Sequence, residues 1–267
     1  MKSATSVMTL VPELSVVIPV HNERCNIGPL LDEVVATLRP GFGFEIVCVD
    51  DASNDGTTEQ LVHARARIPE LVVIVHERNQ GQSVAIATGV MGARAEWVAT
   101  LDGDGQNDPA DLPRLIAERH RQHDDVKLIA GWRVHRRDSL GKRIGSRIAN
   151  AVRARLLGDA TPDTGCGTKL FERAAFMALP RFNHMHRYLP ALFQRDGWRS
   201  FSIEVNHRER ATGVSKYNNL QRLWVGLFDL VGVSWLIRRQ ARLGRITTRV
   251  YPQLEARPRL RTETLPT

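Results

Sequence analysis

Cysteine is scarce. The 267 residues hold three, Cys25, Cys48 and Cys166, an odd number with no C-x-x-C pair. That excludes a disulfide framework and suits a reducing compartment. Cys48 lies in an apolar run and reads as a small core residue. Also missing is any apolar run long enough to cross a bilayer. The longest, LWVGLFDLVGVSWLI at 223–237, would cover about 22 Å as a helix against a hydrocarbon core of about 30 Å, and it carries Asp229. Residues 1–13 contain no long apolar stretch, so no secretory signal is read there. There is no internal repeat, and no helix-turn-helix, zinc-finger or RNA-recognition pattern. Nor does a G-x-G-x-x-G follow the first apolar run. Pro19-Val20-His21-Asn22-Glu23 stands there instead, which disfavours a dinucleotide-dependent dehydrogenase.

What the chain has is positive charge, unevenly spread. Lys and Arg number 37 against 29 Asp and Glu, a formal +8. From Arg238 to Thr267 there are eight arginines and two glutamates, so +6 of the +8 sits in the last stretch. A basic tail on a nearly neutral body suits an anionic surface, lipid or nucleic acid. At 42% hydrophobic and 25% charged the composition is globular, and the length allows one large domain with an appendage.

Apolar runs alternate with segments of helical period over the first two thirds. Strands are expected at LSVVIPV (14–20), FEIVCVD (44–50), LVVIV (71–75), EWVATLD (96–102) and VKLIAGW (126–132). Between the first two, Ile27, Leu30, Leu31, Val34, Val35 and Leu38 follow the spacing of a helix with one buried face. Further helices are expected at 57–67, 82–93 and 109–120, the last with Pro109 in its first turn and Asp108 as its cap. Strand–helix alternation with short connections predicts an α/β fold, a Rossmann-like and mostly parallel sheet flanked by helices. Past residue 138 the alternation stops. A helix with interleaved arginines is expected over 139–158, a strand at 168–171, helices near 173–179 and 185–196, and a strand at 200–205. The 223–237 segment reads as an amphipathic helix in a membrane interface, flanked by Arg222, Arg238 and Arg239, or else as a core helix or protein contact. The expected division is an extension at 1–13, a catalytic domain at 14–216, the apolar helix at 217–240 and the basic tail at 241–267.

Acids gather where strands end. Strand one runs into His21 and Glu23, strand two into Asp50, Asp51 and Asp55, strand four into Asp102 and Asp104, and strand five into Arg133. In a parallel sheet these converge on one rim, the usual place for a ligand. Asp102-Gly103-Asp104 places two carboxylates one residue apart. Their repulsion is costly unless a cation lies between them, and oxygen ligands suit Mg²⁺ or Mn²⁺. Gln106 can add an amide oxygen. Ser53 and Asp55 read as turn and cap residues.

Seven pieces, in order and at family-like spacing from about residue 14 to 219, carry a resemblance: SVVIPVHNE, EIVCVDDASNDGT, NQGQSVAIATG, LDGDGQNDP, AGWR, DTGCGTKLF and RERATGVSKYN. Together they resemble the family-2 glycosyltransferases of GT-A fold, most closely the polyprenyl-phosphate (dolichol-phosphate) mannosyltransferase type. The resemblance implies that Pro19, His21 and Glu23 line a nucleotide pocket and that Val49 and Asp51 contact the nucleoside. It implies that Asp102, Gly103 and Asp104 hold the donor diphosphate through Mg²⁺ or Mn²⁺, with Gln106 as a further ligand. Arg133, Arg210 and Lys216 would bind phosphates at the reacting centre. His21 stands where the family often has Tyr, and Gly103 where Ala is common.

The implied reaction moves a hexose, mannose favoured, from GDP-mannose or a UDP-hexose to a polyprenyl phosphate. It would invert the anomeric centre, at the inner face of the cytoplasmic membrane, with a membrane protein as a further expected partner. A second reading keeps the fold and transfers to a hydroxyl, with Asp163 as the candidate base. A third, from another class, is nucleic-acid binding through the arginine-rich tail, which the absence of a reading motif disfavours. His184 and His186 flank Met185 but fall in a helical stretch, so they read as unrelated to metal.

Overall fold

A computed structural model describes residues 11–133, 153–159, 161–208 and 219–239, with side chains of the last stretch from 226 onward. In chain order the elements are β1 (Leu14–Val20), α1 (Arg24–Leu38), β2 (Phe44–Asp50), α2 (Thr57–Arg65), β3 (Leu71–Val75), α3 (Gln82–Gly92) and β4 (Trp97–Thr100). A 3₁₀ turn at Pro109–Asp111 opens α4 (Leu112–Arg121), followed by β5 (Val126–Arg133) and β6 (Lys169–Glu172). Then come α5 (Arg173–Ala178), a 3₁₀ turn at Met185–Arg187, α6 (Leu189–Arg195), β7 (Arg199–Val205) and α7 (Asn219–Arg238).

The seven strands form one sheet in the order β3-β2-β1-β4-β6-β5-β7. All pairings are parallel except those of β6, which runs antiparallel between β4 and β5. The mostly parallel Rossmann-like sheet expected from the alternation is thus present. Its reversed strand is the one that follows the long stretch after β5, where no short strand–helix unit forces a crossover. Because β6 is reversed, its first residue, Lys169, pairs with Thr100 at the end of β4. Lys169 therefore starts at the rim where the parallel strands finish.

The sheet is buried on both sides, as continuous apolar strands demand. Side chains alternate across it. Leu14, Val16, Ile18 and Val20 face one core with the apolar stripe of α1, Leu61 of α2 and Leu115 of α4. Val17, Val47, Val49 and Val98 face the other with Ile86 and Val90 of α3, Phe176 of α5, Phe193 of α6 and Leu230 and Val233 of α7. At the rim remote from the carboxylates, buried Ser15 donates to Glu45 Oε1 at 2.6 Å, and the Arg94 guanidinium donates to Glu45 Oε2 at 2.8 Å, tying β1, β2 and the approach to β4.

Two expectations change. The arginines interleaved along 139–158 are expected on a basic face of that helix. Arg153 is instead buried, its guanidinium donating to Asp159 Oδ2 at 3.1 Å and to the Thr161 carbonyl at 2.6 Å. That pairing turns the helical residues 153–157 so that Leu157 is buried and Leu156 exposed. The rest of that helix, the 1–10 extension and the tail from 240 lie outside the described residues. The expected continuous helix at 185–196 is a 3₁₀ turn and then α6, broken at Tyr188. Among the described residues no helix is long and apolar enough to cross a membrane.

Close packing of α3 on β1 rests on Gly89: a Cβ there would collide with Val17 Cγ1 and lie 3.2 Å from Val49 Cγ2. Alanine at mid-helix normally gains up to about 1 kcal/mol over glycine. Here we expect Gly89→Ala to cost a net 1–3 kcal/mol or so, seen as a melting temperature lower by several degrees in a thermal scan. An unchanged or higher value would show that the α3–β1 contact is looser than described.

Candidate active site

A cleft of about 760 Å³ opens at the rim where β1, β2, β4 and β5 end and β6 begins. Of the residues expected there, Pro19, His21, Glu23, Asp51, Asp102, Gly103, Asp104, Gln106 and Arg133 line it. Val49 does not: it is fully buried in the core beneath α3. The period of β2 explains this, since Val49 points to the sheet face that α3 covers. Arg210 and Lys216 lie outside the described residues.

The loops after β1 and β2 brace each other. Asn22 and Ala52 both take left-handed backbone conformations, at φ 57° and 58°. The Asn22 N–H donates to Ser53 Oγ at 2.8 Å, and the Asn54 N–H to Asn22 Oδ1 at 2.8 Å. The two adjacent aspartates divide their work. Asp50 accepts from the Ser53 N–H at 3.0 Å and from the hydroxyls of Ser53 and Thr58, fixing the entry to α2. Asp51 turns the other way and accepts from the N–H groups of Gln80 (2.9 Å) and Gly81 (2.7 Å), with His76 Nδ1 at 2.7 Å. Asp51 therefore lines the cleft and also holds the loop that starts α3. His21 Nδ1 lies 2.9 Å from the Asp51 carbonyl, which can only accept, so the proton is on Nδ1.

Asp102 is the most constrained carboxylate. Its N–H donates to Asn107 Oδ1 at 2.7 Å, and its Oδ1 accepts from Gln82 Nε2 at 2.8 Å, reaching across from the first turn of α3. Its Oδ2 lies against Gly167. A Cβ at Gly167 would overlap the Asp102 carboxylate and come within 2.7 Å of Asn107 Oδ1. Gly103 packs closely on the end of β1, since a Cβ would fall 2.7 Å from Val20 Cγ1 and 3.0 Å from the Pro19 carbonyl. Burial, and then the like charge of Asp104, push the Asp102 carboxyl above the ordinary carboxylate range. The cationic neighbours Lys169 and Arg133 act against that shift.

Among the described residues no group of three or more His, Cys, Asp and Glu is placed to hold a metal ion. Two carboxylates and an amide oxygen nevertheless fit Mg²⁺ or Mn²⁺ in the way such ions bind with phosphates. One or two carboxylates hold the ion, and substrate oxygens and water complete its shell. Asp102, raised in part by the like charge of Asp104, forms with it the kind of anionic pair whose repulsion such an ion would reduce.

The cations divide differently from expectation. Arg133 is held in a fork by Asp163, with Nε and Nη2 donating at 2.7 and 3.0 Å. Lys169, buried and unexpected, donates to the carbonyl of Cys166, and to that of Thr164 at 3.4 Å. Burial pulls its ammonium pKa down, with Cys166, Asp102 and Asp163 opposing. Arg187, also unexpected, is half-buried in the wall of the cleft. His186 beside it lies 2.7 Å from Ser83 Oγ through Nδ1. Burial, then the charges of Lys169 and Arg187, hold its pKa well below the usual 6.5. His184 faces away, its Nδ1 2.9 Å from Asp229 Oδ2 of α7, so the two histidines share no ligand position. Lys169 lies inside the piece DTGCGTKLF and Gln82 inside NQGQ. Only the reversal of β6 and the aim of α3 bring them to Asp102.

This rim, with a D-x-D turn at the end of β4, belongs to a sugar-nucleotide transferase fold, and the comparisons agree. The family model for glycosyl transferase family 2 matches residues 15–179, and the chain belongs to that family. It is 35% identical over 240 residues to the dodecaprenyl-phosphate galacturonate synthase of Rhizobium johnstonii, covering 87% of this chain and 69% of the relative. It is 39% identical over 220 residues to the undecaprenyl-phosphate 4-deoxy-4-formamido-L-arabinose transferase of Pseudomonas paraeruginosa, covering 82% and 64%. The chain thus spans about two thirds of the length of these relatives. Among solved structures, a mannosyltransferase from Pyrobaculum calidifontis in complex with GDP-Man and Mn²⁺ superposes with a TM-score of 0.63 at 20% identity, covering 88% of this chain and 67% of the other. Glucosyl-3-phosphoglycerate synthase from Mycobacterium tuberculosis with Mg²⁺ and UDP gives 0.62 at 17% identity, covering 85% and 79%. At these identities both establish the GT-A fold alone.

The cradle around Asp102 gives a direct test. Gly167→Ala should displace the Asp102 carboxylate and weaken Mn²⁺-dependent nucleoside diphosphate binding by about tenfold or more, measured by titration calorimetry. Wild-type affinity in that variant would remove Gly167 from the architecture of the site.

Proposed function

We propose that the chain transfers a sugar from a nucleotide sugar to a polyprenyl phosphate, with inversion, at a membrane surface. The observation that carries the reading is the pairing of Asp102 and Asp104 in one cleft with Arg133, at the rim of a family-2 fold. Both relatives are named for polyprenyl-phosphate acceptors, which supports that acceptor class here. Their sugars are galacturonate and a formamido-arabinose. Mannose therefore has no support from them, and the donor is proposed only as a nucleotide sugar.

In this reading an oxygen of the acceptor phosphate attacks the anomeric carbon as the bond to the donor diphosphate breaks. A single displacement turns an α-linked donor into a β-linked lipid product. The second ionisation of such a phosphate lies near pKa 6, so it is largely dianionic at neutral pH and needs no strong base. Asp102 and Asp104, with Gln106, would hold Mg²⁺ or Mn²⁺, which offsets charge on the departing diphosphate when bound. Pro19, His21, Glu23 and Asp51 form the nucleotide end, and Gly103 lets the D-x-D turn approach it. Arg133, with Arg210 and Lys216, would draw the two anionic reactants together. The hydroxyl-acceptor reading needs Asp163 as a base, but Asp163 already accepts both donors of the Arg133 fork and serves as its counter-ion.

Membrane association rests on α7. Its inner face buries Leu230 and Val233, while Leu227, Phe228, Val231 and Trp235 are exposed, with Arg238 following. An apolar outer face bordered by arginine suits a headgroup boundary.

Purified protein given a panel of nucleotide sugars, a short polyprenyl phosphate and Mn²⁺ should yield a glycolipid identifiable by mass, with inverted configuration. Chelator should abolish it, and Asp104→Asn should slow it by about 100-fold or more. Full rate in chelator, or retention, would reject the scheme. In a separate measurement, replacing Phe228 and Trp235 together by serine should weaken binding to anionic vesicles by about tenfold or more. Equal sedimentation with vesicles would put that face to another use.

A further inference from the structure

Three Lys or Arg side chains line the cleft among the described residues, and they are not equivalent. Arg133 is forked onto Asp163. Lys169 donates to the carbonyls of Cys166 and Thr164. The Arg187 guanidinium makes no hydrogen bond or ion pair with any described residue, although it is half-buried. A partly desolvated cation without a counter-ion is costly, and such a position is normally kept for an anionic ligand. Burial, then the charges of Lys169 and Arg187, hold the adjacent His186 well below its usual pKa, so it adds no competing charge.

The place of Arg187 in the chain narrows the ligand. His184 adopts a left-handed conformation, φ 65°, and opens the tight turn Met185–Arg187. Successive side chains therefore leave in different directions. His184 goes to Asp229 of α7 and Met185 into the core. His186 and Arg187 go to the cleft. Tyr188 then donates its hydroxyl to the Gly226 carbonyl of α7 at 3.3 Å. The cleft wall bearing Arg187 is thus bonded on both sides to the helix whose outer face exposes Leu227, Phe228, Val231 and Trp235.

Resting on the polyprenyl-phosphate reading above, we infer that Arg187 binds the phosphate of the lipid acceptor, at the junction of the cleft with the apolar helix α7. A phosphate monoester offers the planar guanidinium two oxygens, and its hydrocarbon chain then has the exposed side of α7 beside it. In that reading Asp102 and Asp104 serve the donor's diphosphate, and Arg187 serves the acceptor. Arg187 therefore acts on acceptor binding and leaves donor binding alone.

The test uses the full chain and titration calorimetry with four probes: farnesyl phosphate, farnesol, inorganic phosphate, and a nucleoside diphosphate with Mn²⁺. Wild type should bind farnesyl phosphate about tenfold or more tightly than farnesol or inorganic phosphate. Arg187→Ala should lose about tenfold or more on farnesyl phosphate alone, the size of a charge-assisted hydrogen bond. Arg187→Lys should recover part of that loss, and nucleoside diphosphate affinity should stay within about twofold in both variants, which also reports a folded cleft. In turnover, the acceptor KM should rise more than kcat falls. Unchanged farnesyl phosphate affinity in Arg187→Ala, beside a wild type that prefers the phosphate, would overturn the inference and leave the proposed reaction standing. A loss confined to the nucleoside diphosphate would move Arg187 to the donor side and also overturn it. Inorganic phosphate bound as tightly as farnesyl phosphate would replace the lipid by a soluble phosphate. A wild type that does not distinguish farnesyl phosphate from farnesol would overturn the acceptor class itself, and the inference with it.

Discussion

Two carboxylates one residue apart repel each other, and the rest of the cleft is arranged around keeping them together. Asp102 is fixed through its backbone by Asn107, through its side chain by Gln82, and by contact with a residue that can only be glycine at 167. These partners come from the turn after β4, from α3 and from the loop before β6. The sheet must therefore bring three segments to one point before the anionic pair can exist there. Burial and the like charge of Asp104 push the Asp102 carboxyl above the ordinary carboxylate range, with Lys169 and Arg133 opposing. In the proposed reading a divalent ion held by the pair would reduce that repulsion.

The two halves of the rim are built on different terms. Around β1 and β2, polar side chains cap and brace one another until little is left unengaged: Asp50 serves α2, Asp51 serves the start of α3, and Asn22 locks the two loops. That stiffness suits a nucleotide of fixed shape. On the other half the cations are graded, from the forked Arg133 to the buried Lys169 to Arg187, which pairs with no described residue. An acceptor that must arrive and leave needs contacts made only when it is present.

Much of the fold was legible because its signals are local. The spacing from Ile27 to Leu38, the apolar runs at 14–20 and 44–50, and Asp108 ahead of Pro109 each specify an element from a few adjacent residues, and each is present. The convergence of His21, Asp51, Asp102 and Arg133 also followed, because strands ending in polar residues share a rim once the sheet is parallel. What escaped depends on distant parts of the chain. Val49 faces the core because of which side α3 covers. Arg153 turns inward because Asp159 and Thr161 receive it. Lys169 reaches Asp102 only because β6 is reversed, and no run of apolar residues encodes the direction of a strand.

That reversal reaches beyond the site. The chain quits the sheet at Arg133 and rejoins it at Lys169, and both points lie at the mouth of the cleft. The connection between them has both feet planted at one doorway. Rewriting the part of it ahead of Asp163 and Gly167 spares the two residues that hold Arg133 and Asp102. It can change what the doorway admits while the nucleotide half stays untouched. A fold wired in this way can trade one acceptor for another without relearning how to hold its donor.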